Sequence, residues 1–318
     1  MNYTKIVYLQ YGEPEVMHLT QSPLPTPKEN EILVKVYAAG VNPVDYKLRN
    51  GSMRFLVGKK FPKTPGGEIA GVVEQCGSQT GFFKPGDRVF AMLPLSGGGY
   101  SQYLCIPESL LSLMPENLSF NEAAGIPLAG LTALQALRDK GNLQKGMNVL
   151  VNGGSGGVGM FAIQIAKAYD AKVTAVCSGK NIDLVKSFGA DNVIDYEKED
   201  FTQSDEQFDI VFDAVAMSSP GKCKKILTSK GTFISTIPSP GIMLRQIINP
   251  LLSQKIFGIM CKTGGKDLDV LARMATEGKL KCHIEKKYPL HMAPEAHHHI
   301  QSGRVKGKLV LETIEQQK

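Results

Sequence analysis

The 318-residue sequence contains no tryptophan, only six cysteines and no long uninterrupted hydrophobic run. The cysteines form no C-x-x-C pair and follow no regular spacing, so we expect reduced thiols in a cytoplasmic protein rather than a disulfide framework. The N-terminal MNYTKIVYLQYG lacks the apolar segment of a signal peptide, and the stretch from Ile242 to Met260 is interrupted by charged residues and a proline. These absences predict a soluble protein without a membrane span.

Neither sign of charge is concentrated in one part of the chain. The formal net charge is +6, but lysine pairs such as Lys59–Lys60, Lys224–Lys225 and Lys286–Lys287 are isolated and lie near acidic residues. This distribution predicts an ordinary solvated surface rather than a nucleic-acid interface, while the small positive excess suits an anionic ligand. At this length a single hydrophobic core usually splits, so we expect two domains.

A glycine-rich turn stands between a predicted strand and a predicted helix within residues 147–181. The apolar run MNVLVN predicts a buried parallel strand, and Gly154, Gly156 and Gly159 follow it in the G-x-G-x-x-G frame. An early glycine permits the tight reversal, the next lets backbone amides approach a pyrophosphate, and the last lets helix and strand pack closely. We therefore expect a dinucleotide to be bound by Gly154, Ser155, Gly156, Gly157, Val158 and Gly159.

The rest of the chain predicts an α/β fold in two domains. Residues 1 to about 120 contain short β-type runs separated by Pro and Gly clusters, which is typical of a small β-barrel. From Asn148 onward strands alternate with helices, and six such strands with crossover helices predict a doubly wound parallel sheet. The segments after Lys262 are too few to form a domain and are expected to return to the first one. The predicted domains are residues 1–122 with 263–318, and residues 123–262.

The end of the second predicted strand bears on the choice of cofactor. In NAD-binding members of this architecture, an acidic residue about twenty positions past the glycines binds the ribose 2′-hydroxyl. Here the strand ends in the segment CSGKN, residues 177–181, which contains no acid. Ser178 can donate a hydrogen bond to a 2′-phosphate, Lys180 supplies a positive charge, and Tyr196 adds a hydroxyl at the same rim. NADPH is therefore favoured over NADH, with Ser178, Lys180, Asn181 and Tyr196 as its expected contacts; the alternative is that Lys180 is only solvated.

Six segments, taken in order, carry a family resemblance: AAGVNPVDYKLRNG, PKTPGGEIAGVV, PLAGLTALQAL, VNGGSGGVGMFAIQIAKA, SFGADNVIDYE and GRVKGKLVLE. Together they resemble the medium-chain dehydrogenase/reductase superfamily, and within it the zinc-free quinone oxidoreductase branch, which includes zeta-crystallin-like and enone oxidoreductases. The resemblance implies a GroES-like β-barrel catalytic domain, formed by the N-terminal part and the C-terminal tail. A Rossmann domain that binds NADPH would be inserted between them.

The positions of the catalytic zinc ligands in zinc-dependent members of that superfamily carry other residues here. The resemblance places the first ligand at Asn42 and a Gly-His-Glu motif at Gly66–Glu68, where this sequence has Gly-Gly-Glu. A catalytic zinc needs three protein ligands, usually Cys, His or carboxylate. The three histidines at positions 297–299 are consecutive on a predicted surface helix, so they point in different directions and cannot share one metal. We predict no metal.

The segment from Val41 to Lys47 contains the predicted catalytic residues. The resemblance implies that it lines the cleft, with Asn42 near the nicotinamide ribose and Lys47 facing cofactor and substrate. The Lys47 ammonium would either donate to the substrate carbonyl or hold the ribose hydroxyls, and Tyr46 is a weaker alternative donor. Each residue also has a structural alternative: Asn42 as a brace for the turn, Lys47 as a solvated lysine and Tyr46 as a barrel-core residue.

Two further cofactor contacts are implied by the resemblance. Thr132 resembles the threonine that contacts the nicotinamide carboxamide, and Lys308 resembles the C-terminal lysine that closes over the cofactor. The alternative for each is a role in helix or strand packing.

Without a metal, the substrate must accept hydride through its own electronic character, as quinones and α,β-unsaturated carbonyls do. We therefore predict an NADPH-dependent quinone or enone oxidoreductase. Two alternatives stay open: a 2-alkenal or other acceptor reductase of the same superfamily, and a weakly catalytic NADPH-binding sensor protein. The run KIFGIMC is a candidate for an exposed sheet edge, which would pair two copies into a homodimer.

Overall fold

The computed structural model describes residues 1–314 and divides the chain into two compact units. The first unit comprises Met1–Leu128, Thr263–Glu277 and the chain from Cys282 onward, and the second comprises Ala129–Lys262 and Gly278–Lys281. The second unit thus begins somewhat later than residue 123 and also takes in a short segment from the C-terminal part. None of the helices within residues 1–314 is long and apolar enough to cross a membrane.

The strands are β1 (Asn2–Tyr8), β2 (Met17–Pro23), β3 (Glu31–Val41), β4 (Glu68–Cys76), β5 (Arg88–Met92), β6 (Tyr103–Pro107), β7 (Leu111–Leu113), β8 (Asn148–Asn152), β9 (Lys172–Cys177), β10 (Asn192–Asp195), β11 (Phe208–Asp213), β12 (Leu227–Ser235), β13 (Lys255–Gly258), β14 (Ile284–Pro289) and β15 (Lys308–Glu312). The α-helices are α1 (Pro43–Arg49), α2 (Arg54–Val57), α3 (Phe120–Ala124), α4 (Pro127–Gln135), α5 (Gly157–Ala168), α6 (Ile182–Ser187), α7 (Pro220–Cys223), α8 (Pro240–Ile247), α9 (Gly265–Thr276) and α10 (Ala293–Gln301).

The second unit is built on a six-stranded sheet in the order β10-β9-β8-β11-β12-β13, in which every neighbouring pair is parallel. The predicted doubly wound parallel sheet is therefore confirmed. Its central strand β8 buries Val149, Leu150 and Val151 completely, because helices cover both faces of such a sheet. The strand order reverses between β8 and β11, and in doubly wound sheets ligands bind outside the carboxyl ends of the strands at such a point.

The first unit contains a mixed sheet in the order β14-β15-β3-β4-β5-β7, with β6 also paired to β3, and a separate antiparallel ribbon of β1 and β2. The long strand β3 lies at its centre: it pairs with β15 near its carboxyl end, with β6 near its start and with β4 along most of its length. The C-terminal strand β15 therefore returns to the N-terminal part of the chain. Apolar residues of β3, β4, β15 and α10 form one continuous core.

Candidate functional site

In the second unit, the turn after β8 leads directly into α5. A Cβ at position 159 would lie 2.1 Å from the Gly153 carbonyl oxygen, so only glycine lets the helix approach the turn this closely. The reversal itself occurs at Gly153, whose φ is +87°, and not at the predicted Gly154. Sequence reasoning missed Gly153 because the three-glycine frame begins one residue later, although the preceding glycine is visible in the printed run.

Polar groups at this turn are left available for a ligand. The N-cap of α5 is Gly156, so no side chain caps the amides of its first turn, which includes Gly157 and Val158. Beside it, the Asn181 Nδ2 donates to Ser155 Oγ at 3.2 Å, while the buried Asn181 Oδ1 has no hydrogen-bond partner among the described residues. Uncapped amides at the positive end of a helix fit a pyrophosphate, so the residues present suit a dinucleotide.

The carboxyl ends of β9 and β10 bring two of the predicted cofactor contacts to one edge of the sheet. Because Asp195 is in register with Cys177, the following residues Tyr196 and Ser178 both leave the sheet at the same edge. Ser178 is buried, whereas Tyr196 is largely exposed, and Lys180 is exposed on the short turn after β9. The hydroxyl groups and the ammonium therefore lie on neighbouring segments of the second unit.

Asp195 is an acidic residue at this edge that sequence reasoning missed. It is buried, and its Oδ2 lies so close to the β9 turn that a Cβ at Gly179 would meet it at 2.6 Å. The exposed Lys198 pairs with the same Oδ2 at 3.4 Å. Asp195 is the last residue of β10, whereas an acid was sought after β9, and only the parallel pairing of β9 with β10 brings the two positions together. A negative charge at this edge would oppose an anionic ligand, and the paired ammonium of Lys198 offsets part of it.

Thr132 lies on α4 in the second unit and is buried. Its predicted contact with a carboxamide stays a prediction.

In the first unit, Asn42 belongs to a buried polar cluster that also contains Glu68 and Lys308. Asn42 Nδ2 donates to Glu68 Oε1 at 2.7 Å, and the Lys308 ammonium donates both to Asn42 Oδ1 and, at 2.7 Å, to Glu68 Oε1. The other oxygen, Glu68 Oε2, accepts the Leu128 amide at 2.7 Å. All three side chains of this cluster are nearly or completely buried, so their charges and dipoles are satisfied within the unit.

A glycine makes room for this cluster. A Cβ at Gly40 would lie 2.1 Å from Glu68 Oε1, so the carboxylate can reach Asn42 only because position 40 carries no side chain. The Lys308 ammonium thus uses two of its donors inside the first unit. The prediction that Lys308 contacts a cofactor stays a prediction, but its first structural role is as the partner of Glu68.

The two other predicted catalytic residues lie on α1, the helix that follows Asn42. Lys47 is half-buried in its last turn, and no described residue forms a hydrogen bond or ion pair with its ammonium. Tyr46 is half-buried and packs against the apolar core of the first unit. The ammonium of Lys47 is therefore available to a ligand, whereas Tyr46 has the packing role that was the alternative for it.

A second buried polar chain, which sequence reasoning missed, runs from α1 to α10. Asp45 Oδ2 accepts a hydrogen bond from the backbone N–H of Asn42 at 2.8 Å. The same oxygen lies 3.4 Å from the Tyr100 hydroxyl, which in turn lies 3.1 Å from His297 Nε2. Burial raises the pKa of the Asp45 carboxyl to about 7, and burial together with the nearby Asp45 raises the pKa of Tyr100. The Tyr100 hydroxyl therefore stays neutral at physiological pH, whereas the Asp45 carboxyl changes its protonation state close to it.

The prediction that the three consecutive histidines lie on a surface helix is wrong for His297. α10 packs one face against the core, and because consecutive helical residues point in different directions, His297 has no exposed surface. Burial lowers its pKa to about 3, which keeps the ring neutral. His298 pairs with Glu15, and His299 contacts the Tyr288 hydroxyl. Within residues 1–314, no three His, Cys, Asp or Glu side chains are grouped so that they could hold a metal ion.

Two protein-family models match the chain: an alcohol dehydrogenase GroES-like domain over residues 28–116 and a zinc-binding dehydrogenase domain over residues 188–311. The chloroplast envelope quinone oxidoreductase homolog of Arabidopsis thaliana is 36% identical over 304 residues, which cover 92% of each chain. The chloroplastic NADPH-dependent alkenal/one oxidoreductase of the same plant is 33% identical over 323 residues, covering 97% of this chain and 79% of the relative. The quinone oxidoreductase structure from Coxiella burnetii matches with a TM-score of 0.90 and 32% identity, covering 99% of this chain and 100% of that one.

The Glu68–Lys308 pair generates a stability prediction. Lys308→Met leaves the buried Glu68 carboxylate without its charged partner, so we expect the free energy of unfolding to fall by about 3–5 kcal/mol. The double variant Glu68→Gln with Lys308→Met removes both charges and should recover much of that loss. Denaturant titration of the three proteins measures the difference, and a single variant as stable as the double one contradicts the account of the pair.

Proposed function

The chain belongs to the medium-chain dehydrogenase/reductase superfamily and is an oxidoreductase, and from this premise we propose that it reduces quinones or α,β-unsaturated carbonyls with NADPH. Two observations support this proposal. The uncapped N-terminus of α5 suits a pyrophosphate, and similar proteins are named as quinone and alkenal/one oxidoreductases. NADPH would supply the hydride. The chain's own residues would hold it, orient the acceptor and stabilise the negative charge that forms on the acceptor oxygen.

We propose NADPH rather than NADH because several hydroxyl and ammonium groups lie at the ends of β9 and β10. Ser178 and Tyr196 offer hydroxyls, and Lys180 and Lys198 offer ammonium groups that are able to approach a 2′-phosphate. Asp195 is the opposing charge, and its pairing with Lys198 reduces the repulsion. The turn at Gly154–Gly159 would hold the pyrophosphate, with Asn181 beside it.

A reaction without zinc is proposed from the chemistry of the donor groups. Asn42 occupies the position of the first zinc ligand, and its side-chain amide is already bonded to Glu68 and Lys308. Gly67 occupies the position of the histidine ligand. An amide and a glycine do not form the nitrogen, sulfur and carboxylate set that a catalytic zinc needs. The acceptor must therefore stabilise the added electron pair by conjugation, as quinones and enones do.

Lys47 is the proposed donor to the acceptor oxygen or to the ribose hydroxyls. Lys47 is half-buried, and its ammonium has no hydrogen-bond or ion-pair partner among residues 1–314, so it keeps its hydrogen-bonding capacity for a ligand. A cation at this position would stabilise the developing oxyanion more strongly than the ground-state carbonyl.

A homodimer is also proposed. β13 is the last strand of the parallel sheet, and the neighbouring helix α8 exposes Leu244 and Ile247, which are 69% and 74% accessible. An unpaired edge beside exposed apolar side chains favours pairing with a second copy. Sedimentation velocity should give twice the chain mass of 34.5 kDa, and a monomer at all concentrations contradicts this part of the proposal.

The cofactor proposal is tested by ligand-dependent thermal unfolding. At equal concentrations NADPH should raise the melting temperature more than NADH, because only NADPH gains the 2′-phosphate contacts. Lys180→Met should weaken NADPH binding about tenfold and leave NADH binding unchanged, since one charge-assisted contact is worth roughly 1.5–3 kcal/mol at most. Lys225→Met is the matched control and should change neither. Equal shifts with NADPH and NADH contradict the 2′-phosphate argument.

The acceptor proposal is tested by steady-state oxidation of NADPH with benzoquinone, cyclohexenone, a long 2-alkenal and a saturated aldehyde. We expect turnover with the first three classes and not with the saturated aldehyde, and no effect of a chelator. Lys47→Met should lower kcat about 100-fold, while Lys60→Met, an exposed lysine nearby in sequence, should not. Unchanged kinetics in Lys47→Met would remove this residue from the mechanism.

A further inference from the structure

A small cavity lies wholly within the first unit, beside α1. Its volume is about 40 Å³, and its walls are mainly apolar, with Val44, Leu48, Val57, Met92, Leu93 and Leu128 among the lining residues. Asp45 and Gly67 also line it. The volume suits a few non-hydrogen atoms, such as the carbonyl end of a small ligand, rather than a whole ring system or chain.

Asp45 lines the cavity, and only one of its two carboxyl oxygens is hydrogen-bonded. Oδ2 accepts the Asn42 amide and lies near the Tyr100 hydroxyl, whereas Oδ1 has no hydrogen-bond partner among the described residues. The nearest wall to Oδ1 includes Gly67, where a Cβ would stand 3.5 Å from that oxygen. Position 67 is where zinc-dependent relatives of this architecture would carry a histidine, so the glycine leaves the space beside Oδ1 open.

The surroundings of Asp45 raise its pKa to about 7, so that the protonated and ionised forms of the carboxyl are both populated at neutral pH. Burial is the largest cause of its raised pKa, Glu68 adds to it, and the Asn42 amide, Lys308 and the Tyr100 hydroxyl act in the opposite direction. The titratable or charged groups around it are Glu68 on β4, Lys308 on β15, Tyr8 on β1, Arg49 on its own helix, Lys63 in the cavity wall, Tyr100, and His297 behind Tyr100. A neutral acid in an apolar cavity is a hydrogen-bond donor.

We propose that the Asp45 carboxyl, facing this cavity through Oδ1, binds the carbonyl oxygen of a small enone and gives it a proton during reduction. This rests on the proposed function, which it deepens by naming the acid and the size of the acceptor end. The Tyr100 hydroxyl and the backbone N–H of Asn42 are positioning groups. They donate hydrogen bonds to Oδ2 and so leave Oδ1 for the cavity.

The proposed reduction adds one hydride and one proton to the enone. As hydride from NADPH bonds to the β-carbon, the C=C pair shifts toward the carbonyl and the C=O π pair moves onto oxygen. The Asp45 O–H bond breaks, its proton bonds to that oxygen, and the product is an enol, which tautomerises to the saturated ketone. The Asp45 carboxylate then regains a proton from water that enters the cavity when the product leaves.

The first measurement uses the protein without cofactor. Infrared difference spectra of wild type minus Asp45→Asn should contain a carboxylic-acid C=O band that titrates with a midpoint near pH 7. On addition of carbon-13-labelled cyclohexanone, the ketone carbonyl stretch should move to lower frequency in the wild type and not in Asp45→Asn. Asp205→Asn, which changes a fully exposed carboxylate, is the matched control and should behave as wild type.

The second measurement is turnover of cyclohexenone with NADPH. Asp45→Asn should lower kcat about 100-fold or more, with NADPH affinity measured by fluorescence unchanged. The wild-type kcat should fall as pH rises through about 7, because the acid form is lost, and the variant should lose this dependence. If Asp45→Asn fails to fold, two wild-type measurements decide: the pH profile of kcat, and the shift of the carbonyl stretch of bound relative to free cyclohexanone.

An absent acid band below pH 7, an identical ketone stretch in wild type and variant, or a wild-type kcat in Asp45→Asn overturns the proposal. Failure of the wild type to oxidise NADPH with every acceptor of the panel contradicts the proposed function itself. Wild-type turnover that is insensitive to Asp45→Asn contradicts only the assignment of the acid.

Discussion

The Glu68 carboxylate has no exposed surface, and its partners come from three distant parts of the chain. Asn42 follows the central strand β3, Lys308 begins the C-terminal strand β15, and the Leu128 amide lies in α4. A buried carboxylate is costly unless it is paired and fully hydrogen-bonded, so these segments must meet at one place for the first unit to be stable. The return of the C-terminal part of the chain to the N-terminal part thus has an electrostatic reason as well as an apolar one.

The same cluster determines what the start of α1 can do. The side chain of Asn42, the N-cap of α1, is bonded to Glu68 and Lys308, and its backbone N–H donates to the Asp45 side chain three residues later. Capping directs the Asp45 carboxyl inward, where burial favours the neutral acid. Lys47, further along the same helix, is half-buried, and its ammonium has no partner among residues 1–314. One short helix therefore carries a cation and a carboxyl whose pKa lies near 7, both of which suit the reduction of a conjugated carbonyl.

Much of the fold followed from the sequence because its signals are local. The apolar run before Gly154 and the spacing of the glycines predict a strand, a turn and a helix, and the alternation after Asn148 predicts the parallel sheet that is observed. Parts of the site did not follow, because they depend on neighbours in space. Asp195 approaches Gly179 only through strand pairing, and His297 is buried only because one face of α10 packs on the core. Gly67 and Oδ1 of Asp45, which are far apart in sequence, become neighbours only in the folded unit.

The family resemblance predicted which segments bind ligands, but it did not indicate that the Lys308 ammonium is held by Glu68 and Asn42. The central claim is that conjugated acceptors receive hydride at carbon and a proton at oxygen. Reduction of cyclohexenone with NADPH deuterated at the transferred position, followed by mass spectrometry of the product, tests it most directly. The account predicts cyclohexanone with one deuterium at the β-carbon. An allylic alcohol labelled at the carbonyl carbon, or no labelled product, would contradict it.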